Sequence, residues 1–199
     1  MRFRHCEFLE TLKAFLNTLT PLRPETWQRV EPLFSEIRLP KGQYFLEEGD
    51  KATQIGFLTE GIIRAFYRNR DGTEYNKHFF VPDSFAGGYA SLITGKPNQI
   101  WQQALTNCRL LVADFAALSA LYDSAPDLER AARMLAERFF VQKEEREIEL
   151  VLLDAQTRYA LFQQHYPGLE QRIPQYHIAS YLGVTPTQLS RIRRKIAHR

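Results

Sequence analysis

The chain has 199 residues, 44% of them hydrophobic and 25% charged, with a net charge of +3. This is an ordinary globular composition with ample material for a core. Two distant cysteines, Cys6 and Cys108, make neither a disulfide framework nor a metal-type pair. The longest apolar-looking stretch, residues 110–122, contains Asp114 and Ser119 and is too short to span a bilayer. The N-terminal MRFRHCEFLETLKAFL is broken by Glu7, Glu10 and Lys13 and does not read as a signal peptide. A cytoplasmic protein is expected.

Along the chain, Phe8, Leu9, Leu12, Phe15, Leu16 and Leu19 fall at helical spacing and predict a helix over residues 7–19. Pro24, a good first-turn residue, opens a second, covering Trp27, Val30 and Leu33. From about Ser35 the period changes to short aromatic and β-branched runs between glycine-containing turns. Asp71-Gly72, between IIRAFYR and YNKHFF, is a strong hairpin signal. Such strands predict a small barrel or sandwich. After Phe115 the period is helical again: a short helix over 116–122, then a long one over about 127–153 opened by Pro126. In the long helix Leu128, Ala132, Leu135 and Phe139 form a narrow stripe, suited equally to the protein's own barrel and to a second subunit. A further helix, over 154–165, ends at Pro167-Gly168.

The charge is uneven. From Arg158 to Arg199 there are seven bases and one acid, Glu170, a local +6; the rest of the chain carries −3. A basic tail on a mildly acidic body fits a polyanionic partner, against the plainer reading of a solvated basic end. The tail, IASYLGVTPTQLSRIRRK, has the parts of two helices at a sharp crossing: small Ala179, Gly183 for the turn, Thr185 as N-cap and Pro186 at the first helical position. Leu189 and Ile192 can pack back on Ile178 and Leu182, with Val184 plugging the turn. This is a helix-turn-helix pattern, which a generic helical hairpin could mimic. With Leu189 and Ile192 inward, Thr187, Ser190, Arg191 and Arg194 face outward, with Gln188 and Lys195 on the margins. Arg191 suits a paired hydrogen bond to a guanine edge, and Gln188 and Ser190 a base edge or phosphate. Arg193, Arg194 and Lys195 suit phosphate neutralisation.

With FLEEGDKATQIGFLTEGIIRAFYRNRDGTE, FAGGYASLITGK and IPQYHIASYLGVTPTQLSRIRRK in that order, residues from about 41 to 195 resemble the CRP/FNR family of bacterial transcription regulators. The resemblance implies an α+β fold. Residues 1–125 would form a jelly-roll-like double-stranded β-roll with flanking helices, 126–153 a long dimerisation helix, and 154–199 an all-α helix-turn-helix domain. Only four residues follow Lys195, too few for a full β-hairpin wing. The implied partners are double-stranded DNA, a second copy of the chain, and RNA polymerase; no membrane is implied.

The departures from the family pattern bear on the effector. Cyclic-nucleotide-binding members hold the ribose with Gly-Glu and the phosphate with Arg-Ser. Here Gly87-Gly88 and Asn98-Gln99 stand in those places, so both the carboxylate and the guanidinium are missing. A buried phosphate would forfeit a charge-assisted contact worth several kcal/mol, unless Arg64, Arg68 or Arg109 substitutes in space. Cyclic AMP is therefore not the expected effector. A pocket of Gly87, Gly88, Tyr89, Asn98, Gln99 and Ile100 would take another small molecule or be vestigial. No cofactor or metal is expected: two cysteines cannot supply an iron–sulfur cluster, and His5, His78, His165, His177 and His198 are scattered. Pro186-Thr187 stands where many relatives have Arg-Glu or Ser-Glu, which points to a different operator, while Arg191 matches the later arginine. A second reading is a small-molecule sensor acting through protein contacts, its tail a degenerate remnant. An enzyme of cupin type would need several histidines in the roll, where only His78 is found; no enzymatic activity is expected.

Overall fold

The computed structural model describes residues 2–197, which form two compact units. The first is the chain up to Ala65 together with Phe79–Arg138; the second is Phe66–His78 together with the chain from Phe139 onward. Three elements run from one into the other: strands β4 (Ile63–Arg68) and β5 (Glu74–Phe80), and the long helix α5 (Pro126–Leu152). No helix among the described residues is long and apolar enough to cross a membrane.

The first unit opens with α1 (Arg2–Leu19), which starts five residues earlier than its apolar stripe predicts, and α2 (Pro24–Val30). The roll follows, with β1 (Ser35–Leu39), β2 (Tyr44–Leu46), β3 (Gln54–Glu60), β6 (Ser84–Ala86), β7 (Trp101–Ala104) and β8 (Cys108–Asp114) joining β4 and β5. The strands make two four-stranded sheets, ordered β1-β8-β3-β6 and β2-β7-β4-β5, so the expected double-stranded roll is present. Register follows from alternation: Gly56 lies opposite Val112 and Leu58 opposite Leu110, which places one face of β3 in the core with Ile63, Ala65, Phe80 and Ala104. The other face presents Phe57, whose ring lies 5.4 Å from Phe15 of α1 and 5.2 Å from Phe85. Helix α3 (Tyr89–Thr94) follows β6, and α4 (Phe115–Ser119), capped by Asp114, is shorter than the predicted 116–122. At the start of α5 the buried residues are Leu128 and Ala131, with Ala132 and Leu135 half-buried. The stripe there steps by three residues because it faces the chain's own unit. The Asp127 carboxylate ties α5 to the start of α2, accepting from the Arg23 main-chain N–H at 2.8 Å and the Thr26 hydroxyl at 2.9 Å.

The second unit contains the tip of the β4–β5 hairpin, the rest of α5, α6 (Ala155–His165), α7 (Gln175–Leu182) and α8 (Pro186–Ala197). The hairpin is built on a longer loop than a two-residue turn. The Gly72 N–H closes on Asn69 O at 3.0 Å, and the Asn69 side chain accepts from the Asp71 and Thr73 N–H groups. Gly72 takes φ +79°, the left-handed conformation such a loop requires. The core of this unit is aromatic: Phe162, Tyr166 and Tyr181 meet at ring distances of 5.4–5.8 Å, and the Arg146 guanidinium lies 3.8 Å from the centre of Tyr181.

Candidate nucleic-acid interface

Helix α7 ends at Gly183, whose φ of +68° turns the chain while the Val184 N–H returns to Ala179 O at 3.0 Å. Ala179 is buried and so small that the turn closes directly on it. Ile178, Leu182 and Leu189 are buried, and Ile192 and Val184 half-buried, as the spacing predicts. Thr185 caps α8, its hydroxyl oxygen accepting from the Gln188 N–H at 3.2 Å. Gln188 returns the contact, its Oε1 accepting from the Thr185 N–H at 2.9 Å. This reciprocal pair is a capping box, legible in the sequence as T-P-T-Q, a second role for Gln188 beside the expected contact with a base edge or phosphate.

Thr187, Gln188, Ser190, Arg191, Arg194 and Lys195 are all exposed and lie on one helix of twelve residues that contains no acid. The basic charge of the tail is not all on this face. Arg158, counted above among its seven bases, is turned inward: it donates to Leu182 O at 3.1 Å and Leu153 O at 2.6 Å, closing the C-terminal ends of α7 and α5. Arg193 is half-buried, with Nε 3.9 Å from the Glu170 carboxylate. His198 and Arg199 lie outside the described residues.

The residues read as an effector pocket lie in the first unit. Asn98 is buried and acts as a hub: its side-chain amide donates to Glu47 O and Ile100 O, its N–H to Asp50 O, and its carbonyl accepts from the Gly49 N–H at 2.8 Å. A Cβ on Gly88 would sit 2.6 Å from a Leu46 methyl and 3.1 Å from Asn98 Oδ1, so no larger residue fits there as the backbone stands. Gly87 O accepts from buried Gln102 Nε2 at 2.8 Å. Tyr89 and Gln99 are exposed and Ile100 is half-buried. Beside this hub a cleft of about 290 Å³ is lined by residues 45–46 and 50–54, among them Asp50 and Lys51; this segment carries the family resemblance but was not among the residues expected to line a pocket. The three arginines considered as substitute phosphate ligands have other partners: Arg64 binds Gln103 at 2.7 Å, Arg68 binds Glu74 at 2.8 Å, and Arg109 binds Glu36 at 2.9 Å and Glu60 at 3.1 Å. Among the described residues no cluster of histidine, cysteine and carboxylate side chains could hold a metal.

Residues 36–125 match the family model of the cyclic nucleotide-binding domain. By sequence, no curated protein matches the chain significantly. Among solved structures it is similar to FixK2 from Bradyrhizobium japonicum, at 17% identity over 83% of this chain and 85% of that one, with a TM-score of 0.73. It is also similar to CLP of Xanthomonas campestris, described as a c-di-GMP responsive global regulator, at 16% identity over 88% and 92%, TM-score 0.69. The Catabolite Activator Protein of Thermus thermophilus is 24% identical over 92% and 87%, with a TM-score of 0.57. The chain thus has the fold of the CRP/FNR regulators, as its motifs imply, with a cyclic nucleotide-binding type of roll.

Proposed function

We propose that the chain is a homodimeric, DNA-binding transcription regulator of the CRP/FNR type that works in the cytoplasm and reads a palindromic operator through α8. The exposed, acid-free face of α8 carries this reading: Arg191 would reach a base edge, and Arg194 and Lys195 would neutralise phosphates. Two copies related by a two-fold axis would set their helices about one turn of duplex apart. The roll does not serve cyclic AMP in this reading. Asn98 is committed to main-chain carbonyls where the family has a guanidinium, and Leu46 occupies the space a carboxylate side chain at position 88 would need.

The test is anisotropy of labelled duplexes at several salt concentrations, with an operator selected from a random pool. The wild type is expected to bind with affinity falling steeply with salt. Arg191→Ala should lower operator affinity about tenfold, the worth of one base-edge pair, and Arg194→Ala should reduce the salt slope by about one. No retention of duplex at low salt, or full operator affinity in Arg191→Ala, would reject the interface.

A further inference from the structure

The tail from Arg158 to Arg199 holds one acid, Glu170, among seven bases. Glu170 sits in a single turn, Leu169–Gln171, between α6 and α7, and its side chain is only 16% exposed. The Tyr159 hydroxyl of α6 donates to one carboxylate oxygen and Gln163 Nε2 to the other at 3.3 Å. Gln163 also donates to the Tyr159 oxygen at 3.2 Å. The Glu170 main-chain oxygen accepts from Gln175 Nε2 of α7 at 3.2 Å. From α8, Arg193 sets its Nε 3.9 Å from the carboxylate. Burial first, then the hydrogen bond to Glu170, push the Tyr159 hydroxyl up to about 12, so it stays protonated and keeps donating. One acid thus touches all three helices of the DNA-binding part. On α8 successive residues turn by about 100°. That puts Gln188 and Lys195 on one margin of the face formed by Thr187, Ser190, Arg191 and Arg194, and Arg193 on the other margin, beside buried Leu189. A helix lying in the major groove has a phosphate backbone along each margin. Lys195 is exposed, whereas Arg193 is half-buried and turned to Glu170. An ion pair of this exposure adds little to stability; what it changes is where the Arg193 charge can go.

We propose that Glu170 is a positioning residue that withholds Arg193 from the duplex. It anchors α8 through that guanidinium, which orients Arg191 toward the bases and forgoes one phosphate contact that carries no sequence information. Arg193 is then not the phosphate neutraliser that its place in the sequence suggests. The proposal rests on the DNA-binding reading, and the test separates the two. Anisotropy against salt is run on the operator and on a random duplex for wild type, Arg193→Ala, Glu170→Gln and the double variant, with the urea midpoint of each. Arg193→Ala should leave the salt slope as in wild type, where Arg194→Ala lowers it by about one. Glu170→Gln keeps the shape and removes the charge. It should steepen the slope by about one and raise random-duplex affinity about fivefold, as the freed Arg193 meets a phosphate. Operator affinity should gain less, because α8 has lost its anchor, so discrimination falls about threefold, and the double variant should return the slope to the wild-type value. The two substitutions together should lower the urea midpoint no more than the larger does alone. A slope lowered by about one in Arg193→Ala, or unchanged in Glu170→Gln, would overturn the proposal. The first of these decides even where Glu170→Gln does not fold. If the wild type retains no duplex at low salt, the DNA-binding reading fails instead. Additive urea midpoints would then overturn the hold of Glu170 on Arg193, and non-additive ones would uphold it.

Discussion

His78 shows how a single residue carries a long-range fact that its sequence neighbours do not announce. Burial first, then Lys77 and Arg146 nearby, lowers its pKa from 6.5 to about 4. The ring also meets the Tyr166 hydroxyl, its Nδ1 lying 3.1 Å from that oxygen. The folded form therefore keeps a neutral ring where the unfolded chain takes a proton. Stability from this difference is fully present above pH 6.5, is lost as pH falls from 6.5 toward 4, and is lost no further below that. Between pH 7 and 4.5 the wild type should lose about 2 kcal/mol more than His78→Gln, read from urea midpoints at each pH. Equal losses would show that the ring is not held neutral. The sequence favoured a surface or satisfied role for each histidine. It could not say which, because the partners of His78 and His177 are Tyr166 and Asn76, far away in the chain.

At the scale of elements, what was legible was punctuation. Gly183, Thr185 and Pro186 fix the turn and the start of α8 from local rules alone, and those bounds stand to the residue. Gly72 marks the hairpin for the same reason, although its loop type depended on Asn69 closing on Asp71 and Thr73. Less legible was anything set by packing. The start of α1 has no acidic first turn to mark it, and the buried face of α5 begins with Leu128 and Ala131, which the chain's own packing covers. The capping box tests how far local rules reach. Thr185→Ala removes the acceptor for the Gln188 N–H but keeps the main-chain N–H that Gln188 Oε1 accepts from, at a cost of about 1 kcal/mol. Thr185→Ser should restore most of it. Denaturant midpoints of the three proteins measure this, and an alanine variant as stable as wild type would mean that α8 is held by Leu189 and its packing alone.

For the whole molecule the decisive surface is the part of α5 that the stripe in the sequence did not reach. Val141, Ile148 and Leu152 lie seven and four residues apart, flanked by Phe140 and Val151, and all five are exposed, Val151 by 80% and Leu152 by 73%. Large apolar side chains grouped on one helical face are costly to leave in water and mark an interaction surface. A second copy of the chain is the occupant that the proposed function needs, since one α8 reads only half of a palindrome. The charged residues between them, Glu144, Glu145 and Glu147, hid this face by lowering its mean hydropathy while leaving the apolar positions intact. Ile148→Glu with Leu152→Glu should shift sedimentation from dimer to monomer at micromolar concentration. The affinity for a full palindrome should fall on the order of 100-fold, because the second half-site is no longer bound intramolecularly. Affinity for an isolated half-site should hardly change, since neither residue is on α8. A variant that remains dimeric, or that loses half-site binding to the same extent, would place the two-fold contact elsewhere on the chain.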